Sequence, residues 1–136
     1  MKPEVWGPGA WIFLHSITLN YPDNPSEQDK SEYLVFFNSL SNIIPCEKCK
    51  DHYYQYLLDN PIEKSLNKKQ DIVIWLNNLH NIINIRNDKP TMDVFKMISL
   101  YKKMYSKNKN KNKNKYCIIL IILLIIFILL VLCGLI

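Results

Sequence analysis

The sequence predicts an all-α protein: a four-helix bundle with a short fifth helix, followed by a C-terminal transmembrane helix. Three observations carry this. Apolar residues recur at helical spacing through residues 6–84 and again over 95–105, no stretch alternates with period two for long, and residues 117–136 form an unbroken apolar run. A chain of 136 residues has room for one domain and an appendage. The expected division is a folded domain over 1–105, a Lys/Asn-rich linker over 106–116 and a membrane segment over 117–136.

The first helix is expected over residues 6–21, with Pro8 near its start and Pro22 just beyond its end. Trp11 and His15 lie four apart and so share a face. They suit a core tryptophan beside a satisfied histidine, or a pair of rings against a flat aromatic ligand. Ser26 is the expected N-cap of the second helix, with Asp29 in its first turn. That helix reaches Ile44 and presents Tyr33, Phe36, Phe37, Leu40 and Ile44 as core residues.

Pro45 ends this element, and a third helix runs from about Cys46 to Asn60-Pro61 with Tyr53, Tyr56 and Leu57 at helical spacing. A polar loop is expected up to Lys69. The fourth helix spans about Gln70 to Asn84, its apolar face made by Ile72, Trp75, Leu76, Leu79, Ile82 and Ile83. His80, Asn81 and Asn84 lie on the same helix, and such polar groups are costly if buried without partners, so they require a ligand, water or one another. Asp88-Lys89-Pro90 forms a turn, Thr91 is the expected N-cap, and the last helix carries Phe95, Ile98, Leu100, Tyr101 and Tyr105.

Residues 117–136 are apolar throughout, and twenty residues at about 1.5 Å each span roughly 30 Å, the thickness of a bilayer core. The formal net charge of +5 is misleading until it is located. Seven lysines lie between residues 102 and 115, which leaves ten basic against twelve acidic residues over 1–101, a net charge of about −2. Nucleic-acid binding by the domain therefore loses its main support. The Lys-Asn tract over 107–115 reads as a solvated, extended linker whose charge suits anionic lipid heads. A lysine-rich flank holds its side of a membrane segment in the cytoplasm, so the folded domain is expected there. No apolar stretch of signal-peptide length stands near the amino terminus. A reducing compartment favours a catalytic disulfide over a structural one.

Chemistry concentrates in Pro45-Cys46-Glu47-Lys48-Cys49, the cysteine pair outside the apolar tail. A C-x-x-C pair opening a helix puts its first thiol among unpaired backbone N–H groups at the positive end of the dipole, which favours the thiolate. Lys48 and Lys50 add positive charge, and Glu47 and Asp51 offset it. Such a thiolate exchanges with an incoming dithiol. Two other readings stand beside this one. Cys46, Cys49, His52 and a further histidine, His15 or His80, could hold zinc in a tail-anchored interaction module, although a second tight ligand pair is missing. The cysteines could also be buried bystanders.

Taken together, Trp6-Gly7-Pro8 with Trp11 and Leu14-His15, Pro45-Cys46-Glu47-Lys48-Cys49, Trp75-Leu76, Leu79-His80-Asn81, Asn84 and Lys89-Pro90 resemble the FAD-linked sulfhydryl oxidases of the Erv/ALR family, over roughly residues 5–105. The order and spacing of these motifs within one helical domain are specific, although each alone is not. The resemblance implies a bundle whose mouth holds FAD beside the C-x-x-C, with Cys46 and Cys49 catalytic. It assigns cofactor contacts to Trp11, His15, His80, Asn81, Asn84 and Lys89. Tyr101 and Tyr105, where many members have tryptophan, are further candidates for stacking on adenine, and His52 and Tyr53 are second choices.

The implied reaction oxidises two thiols to a disulfide and reduces O2 to hydrogen peroxide, with Cys46 as the outer sulfur and Cys49 as the sulfur nearer the flavin. No metal is implied. Pro8 stands where many cellular members carry a basic residue, and Asn77 and Val94 stand where many have a second, structural disulfide. Cys117 and Cys133 lie in or at the edge of the apolar segment and read as small hydrophobes or an acylation site. Without an extra shuttle pair, the electron donor is expected to be a thiol-bearing client or a thioredoxin-like protein. The family's habit of pairing implies a homodimer, and compact cytoplasm-facing members are typical of large DNA viruses.

Overall fold

The computed structural model describes residues 1–132, and for 107–114 the backbone only. Its elements are α1 (Pro3–Leu19), α2 (Glu27–Ile43), α3 (Glu47–Asp59), a 3₁₀ turn (Ile62–Ser65), α4 (Lys69–Arg86) and α5 (Val94–Leu132). No strand occurs among the described residues. The chain divides into two units, Met1–Ile98 and Ser99–Ile136.

Local chemistry explains most boundaries of the first unit. Pro3 occupies the start of α1, where a missing N–H costs nothing, so this helix begins three residues earlier than expected and Pro8 falls inside it. The carbonyl deprived by Pro8 belongs to Glu4, in the first turn. Ser26 caps α2 as expected: its hydroxyl accepts from the Asp29 N–H at 3.1 Å, and the Asp29 carboxylate accepts from the Ser26 N–H at 2.8 Å. The Ser26 hydroxyl also donates to the Asp29 carboxylate at 2.5 Å, and this bond, then the one from the Ser26 N–H, holds the Asp29 carboxyl below its usual range.

Three expectations need correction. The loop after Asn60 contains the 3₁₀ turn, and Ile62 and Leu66 around it are buried in the core. Thr91 does not cap the last helix. Asp93 does, accepting from the N–H groups of Phe95 at 2.9 Å and Lys96 at 3.3 Å. Finally, the short fifth helix and the apolar segment are one helix, α5, and the Lys-Asn tract is helical instead of extended. A helix already nucleated on both sides gains one hydrogen bond for each added residue, and lysine is a good helix former. The window Lys115–Leu132 is long and apolar enough to cross a membrane. Residues 133–136, Cys133 among them, lie outside the described residues.

The core of the first unit is built on aromatic rings. Tyr21, Phe37, Tyr53, Tyr56, Ile62, Leu66, Ile72, Trp75, Leu76 and Leu79 form one buried cluster. The polar tips of its rings bind carbonyls across helices. Tyr21 donates to Leu66, Tyr53 to Phe37 and Tyr56 to Trp75, each at 2.8 Å, and the Trp75 indole donates to Asn60 at 2.8 Å. A buried hydroxyl without such a partner is destabilising, so these bonds fix the register of α2, α3 and α4 as well as fill space.

Candidate functional site

Cys46 is the N-cap of α3, and its sulfur accepts from the Cys49 N–H at 3.3 Å. The two cysteines are joined by a disulfide with Cα atoms 5.2 Å apart, within the usual range for such a bridge. Both are half-buried, so reagents can reach the bond. Lys50 pairs with Glu47 at 2.8 Å, and that carboxylate offsets its charge. Electrostatic help for a Cys46 thiolate therefore falls chiefly to the open N-terminus of α3.

The same end of the bundle gathers the other elements. The Met1 ammonium donates to the Pro45 carbonyl at 2.9 Å, which brings the start of α1 to the start of α3. His52, one turn beyond Cys49, is close enough to Arg86 for that cation to depress its pKa, although its own burial is the larger cause. So the C-terminus of α4 reaches the same end. Lys89, in the loop after α4, acts in the same way on His80.

Between α1 and α4 stands a cluster of three rings. Trp11 and His80 are stacked, with centroids 3.9 Å apart and planes within 6°. His15 Nε2 and His80 Nδ1 share a hydrogen bond of 3.0 Å. His15 is only 1% exposed, so an imidazole lies in the interior. Burial, then the neighbouring His80, hold His15 down to about 4, and burial, then Lys89, hold His80 down to about 4. Both are neutral at pH 7. The Trp6 indole N–H is buried without an acceptor among the described residues, a donor that a bound group can use. Ring faces, neutral imidazoles and the cations Arg86 and Lys89 form a set suited to a flat heteroaromatic compound bearing phosphates, and FAD is such a compound.

The expected site residues thus separate. Trp11, His15 and His80 come together, with Lys89 beside them and His52 towards Cys49. Asn84 is half-buried, and its carbonyl accepts from Asn87 and Lys89 in the turn after α4. Asn81 bonds instead to the backbone of Met92, accepting from its N–H and donating to its carbonyl, both at 2.9 Å. Tyr53 is a core residue whose hydroxyl is engaged by Phe37. Tyr101 and Tyr105 lie one turn apart on the part of α5 in the second unit.

Arg86 and Asn77 were not singled out as site residues. Arg86 reads as an ordinary C-terminal helix cation, and Asn77 donates to Met92 at 3.1 Å, a contact that depends on the loop path. The two sulfurs are bonded to each other, which weighs against the zinc reading. No group of three or more His, Cys, Asp or Glu residues suited to a metal occurs among the described residues.

Comparison with known proteins agrees with this geometry. The model of the Erv1 / Alr family matches residues 8–114. A probable FAD-linked sulfhydryl oxidase of Acanthamoeba polyphaga mimivirus is 36% identical over 76% of this chain and 73% of its own length. An FAD-linked sulfhydryl oxidase of African swine fever virus is 31% identical over 76% of this chain and 82% of its own. Among solved structures, the yeast Erv1 core superposes with a TM-score of 0.67 at 28% identity, covering 76% of this chain and 83% of that one. The FAD-binding domain of Erv1 from Saccharomyces cerevisiae gives 0.67 at 29% identity, over 76% and 92%. A helical domain with a C-x-x-C disulfide at the mouth of its bundle, matched over most of its length by this family, is a member of it: the chain belongs to the Erv1/Alr family.

Proposed function

We propose that the chain is an FAD-linked sulfhydryl oxidase that forms disulfides in thiol-bearing clients through Cys46 and Cys49. The observation that carries this reading is the Cys46–Cys49 disulfide at the N-cap of α3, at the end of the bundle where α1, α3 and α4 converge. A client thiolate attacks the Cys46 sulfur, forming a mixed disulfide and releasing the Cys49 thiolate. The client's second thiol then displaces Cys46, leaving an oxidised client and a reduced Cys46/Cys49 pair. The N-cap position favours Cys46 as the leaving thiolate of this second step, because backbone N–H groups stabilise the charge that develops on it. Cys49, one helical turn inward, is proposed as the sulfur nearer the cofactor.

When bound, FAD would supply the two-electron acceptor for the reduced Cys46/Cys49 pair, with O2 as final acceptor and hydrogen peroxide as product. Trp11, His15 and His80 are the residues proposed to hold it, with His52, Asn84 and Lys89 at its margin. Their neutral imidazoles donate and accept hydrogen bonds without adding charge. The full chain purified in detergent should be yellow and should consume O2 when given a dithiol. Colourless protein that takes up no O2 would overturn the reading.

The catalytic domain is proposed at 1–105 and a membrane segment at 117–136, with 106–116 between them. The lysine-rich flank keeps the domain on the cytoplasmic side, whether the membrane is a cell's or a virion's. Electrons come directly from the client or from a thioredoxin-like protein. A homodimer is proposed through α1 and α2. Val5, Ile12 and Phe13 of α1 and Val35 of α2 are exposed, and the edge-to-face contact of Phe13 with Phe36 joins the two apolar faces. Sedimentation of the detergent-solubilised chain should give a dimer that Phe13→Asp converts to a monomer, and a wild-type monomer would contradict this arrangement.

A further inference from the structure

The segment joining α4 to α5, residues 87–93, is largely exposed, yet it is fixed at both ends. At the α4 end the chain closes in a Schellman motif. Lys89 N–H donates to the Asn84 carbonyl at 2.8 Å and Asp88 N–H to the Ile85 carbonyl at 3.2 Å, with Asp88 in the left-handed region at φ 53°. Aspartate is one of the few non-glycine residues that visits this conformation, and the two hydrogen bonds of the motif hold it there. At the α5 end, Met92 is clasped by two α4 side chains one turn apart. Asn81 binds both its N–H and its carbonyl at 2.9 Å, and buried Asn77 donates to the same carbonyl at 3.1 Å.

Three side-chain bonds on one residue are more than a passive connection needs, since exposed loops usually satisfy their backbone with water. Between the fixed ends lie Lys89, Pro90, whose ring locks its own φ, and Thr91. The Lys89 backbone is bonded to Asn84, which lies one turn beyond His80 on the same face of α4, so Lys89 is the residue of this stretch held next to the ring cluster, where its charge also lowers the His80 pKa. His80 faces Trp11 and His15 from α1 and Lys89 from the loop. Arg86, the nearest other cation along α4, acts on His52.

We propose that Asn81, with Asn77, is a positioning residue: by clasping Met92 it holds the 87–93 loop so that the Lys89 ammonium stands beside His80, and it serves the cofactor through Lys89 and not by touching it. Only the consequence for the cofactor rests on the flavin reading; the placement of Lys89 does not. Both polar atoms of the Asn81 carboxamide are engaged by Met92, which is what distinguishes it from His80 one residue earlier.

The test uses the full chain in detergent, labelled at histidine Cε1, with titration of His80 followed by NMR. The chain has three histidines, and His52→Gln completes the assignment. Asn81→Ala should move the His80 midpoint upward from about 4, Lys89→Gln should move it by the same amount, and the double variant should move it no further. Asn77→Ala, a milder change, should give a smaller upward move and serves if Asn81→Ala does not fold.

An unchanged His80 midpoint in the Asn variants, or a double variant equal to the sum of the singles, overturns the proposal. FAD affinity supplies the second readout. Asn81→Ala, Lys89→Gln and their combination should agree within about twofold, as for one shared contact. Weaker FAD binding in Asn81→Ala that Lys89→Gln lacks would mean that Asn81 touches the cofactor itself, which also overturns the proposal. FAD affinity unchanged in both variants, even with a His80 shift, overturns the proposal that Asn81 serves the cofactor through Lys89.

Discussion

Cys49→Ala should abolish dithiol-driven O2 uptake, by at least about 10³-fold, while the protein stays yellow. The reaction needs an electrophilic disulfide for the client thiolate to attack, and that bond exists only when both sulfurs are present. A lone Cys46 thiol at the N-cap could at most form a dead-end mixed disulfide. Cys46→Ala should be equally inactive for the complementary reason, that the point of attack is gone. Colour should persist in both, because Trp11, His15 and His80 lie on α1 and α4 and neither cysteine is part of their hydrogen-bonded and stacked cluster. Cys117→Ser should leave turnover unchanged, since that thiol is free and exposed in the second unit. Retained turnover in Cys49→Ala, measured with an oxygen electrode, would contradict the assignment.

Stability should fall steeply between pH 6.5 and about 4, well above the range where carboxylates usually dominate acid unfolding. His15 and His80 are each held down to about 4 from 6.5, so across this window the unfolded chain binds protons that the folded chain does not. Excess proton uptake by the unfolded state lowers stability as pH falls; the loss begins near 6.5 and levels off below about 4. Charging His15 alone corresponds to roughly 3 kcal/mol, at 1.36 kcal/mol for each pKa unit. The two rings titrate as a pair through their shared hydrogen bond, so their joint effect is less than twice that.

Asp29, held below its ordinary carboxylate value by Ser26, contributes in the same direction only at lower pH. Urea midpoints at pH 7, 6, 5 and 4.5 measure the slope. His15→Gln should be less stable at pH 7 and show a flatter dependence on pH. A wild-type profile that is level from pH 6.5 to 4.5 would show that the pair is not buried and neutral.

Element boundaries were legible wherever a local signal was strong. Ser26 with Asp29, the prolines at 22, 25, 45 and 61, and the apolar period of α4 placed α2, α3 and α4 within one or two residues. The start of α1 was misjudged because two prolines competed, and Pro3 at the first helical position suits a helix better than Pro8. The 3₁₀ turn was missed because Ile62 and Leu66 are two apolar residues in a polar stretch too short to show a period, and their burial is decided by α2 and α4. Asp93 prevailed over Thr91 as N-cap once Met92 was fixed by Asn77 and Asn81, a contact spanning 11 and 15 residues that no local pattern announces.

Of the candidate site, Trp11 and His15 were legible as one face of a helix and His80 as a misplaced polar residue on an apolar one. Their meeting, as a stack and a hydrogen bond, depends on how α1 packs on α4, which spacing along the chain does not encode.

The central claim is that the Cys46–Cys49 disulfide exchanges electrons with a flavin held in the same domain. Mixing the full chain with a dithiol under anaerobic conditions, while following the flavin absorbance near 450 nm, tests it most directly. The claim predicts prompt bleaching in the wild type, recovery when O2 is admitted, and no bleaching in Cys49→Ala. Bleaching at an equal rate in that variant, or no flavin band in the wild type, would contradict it.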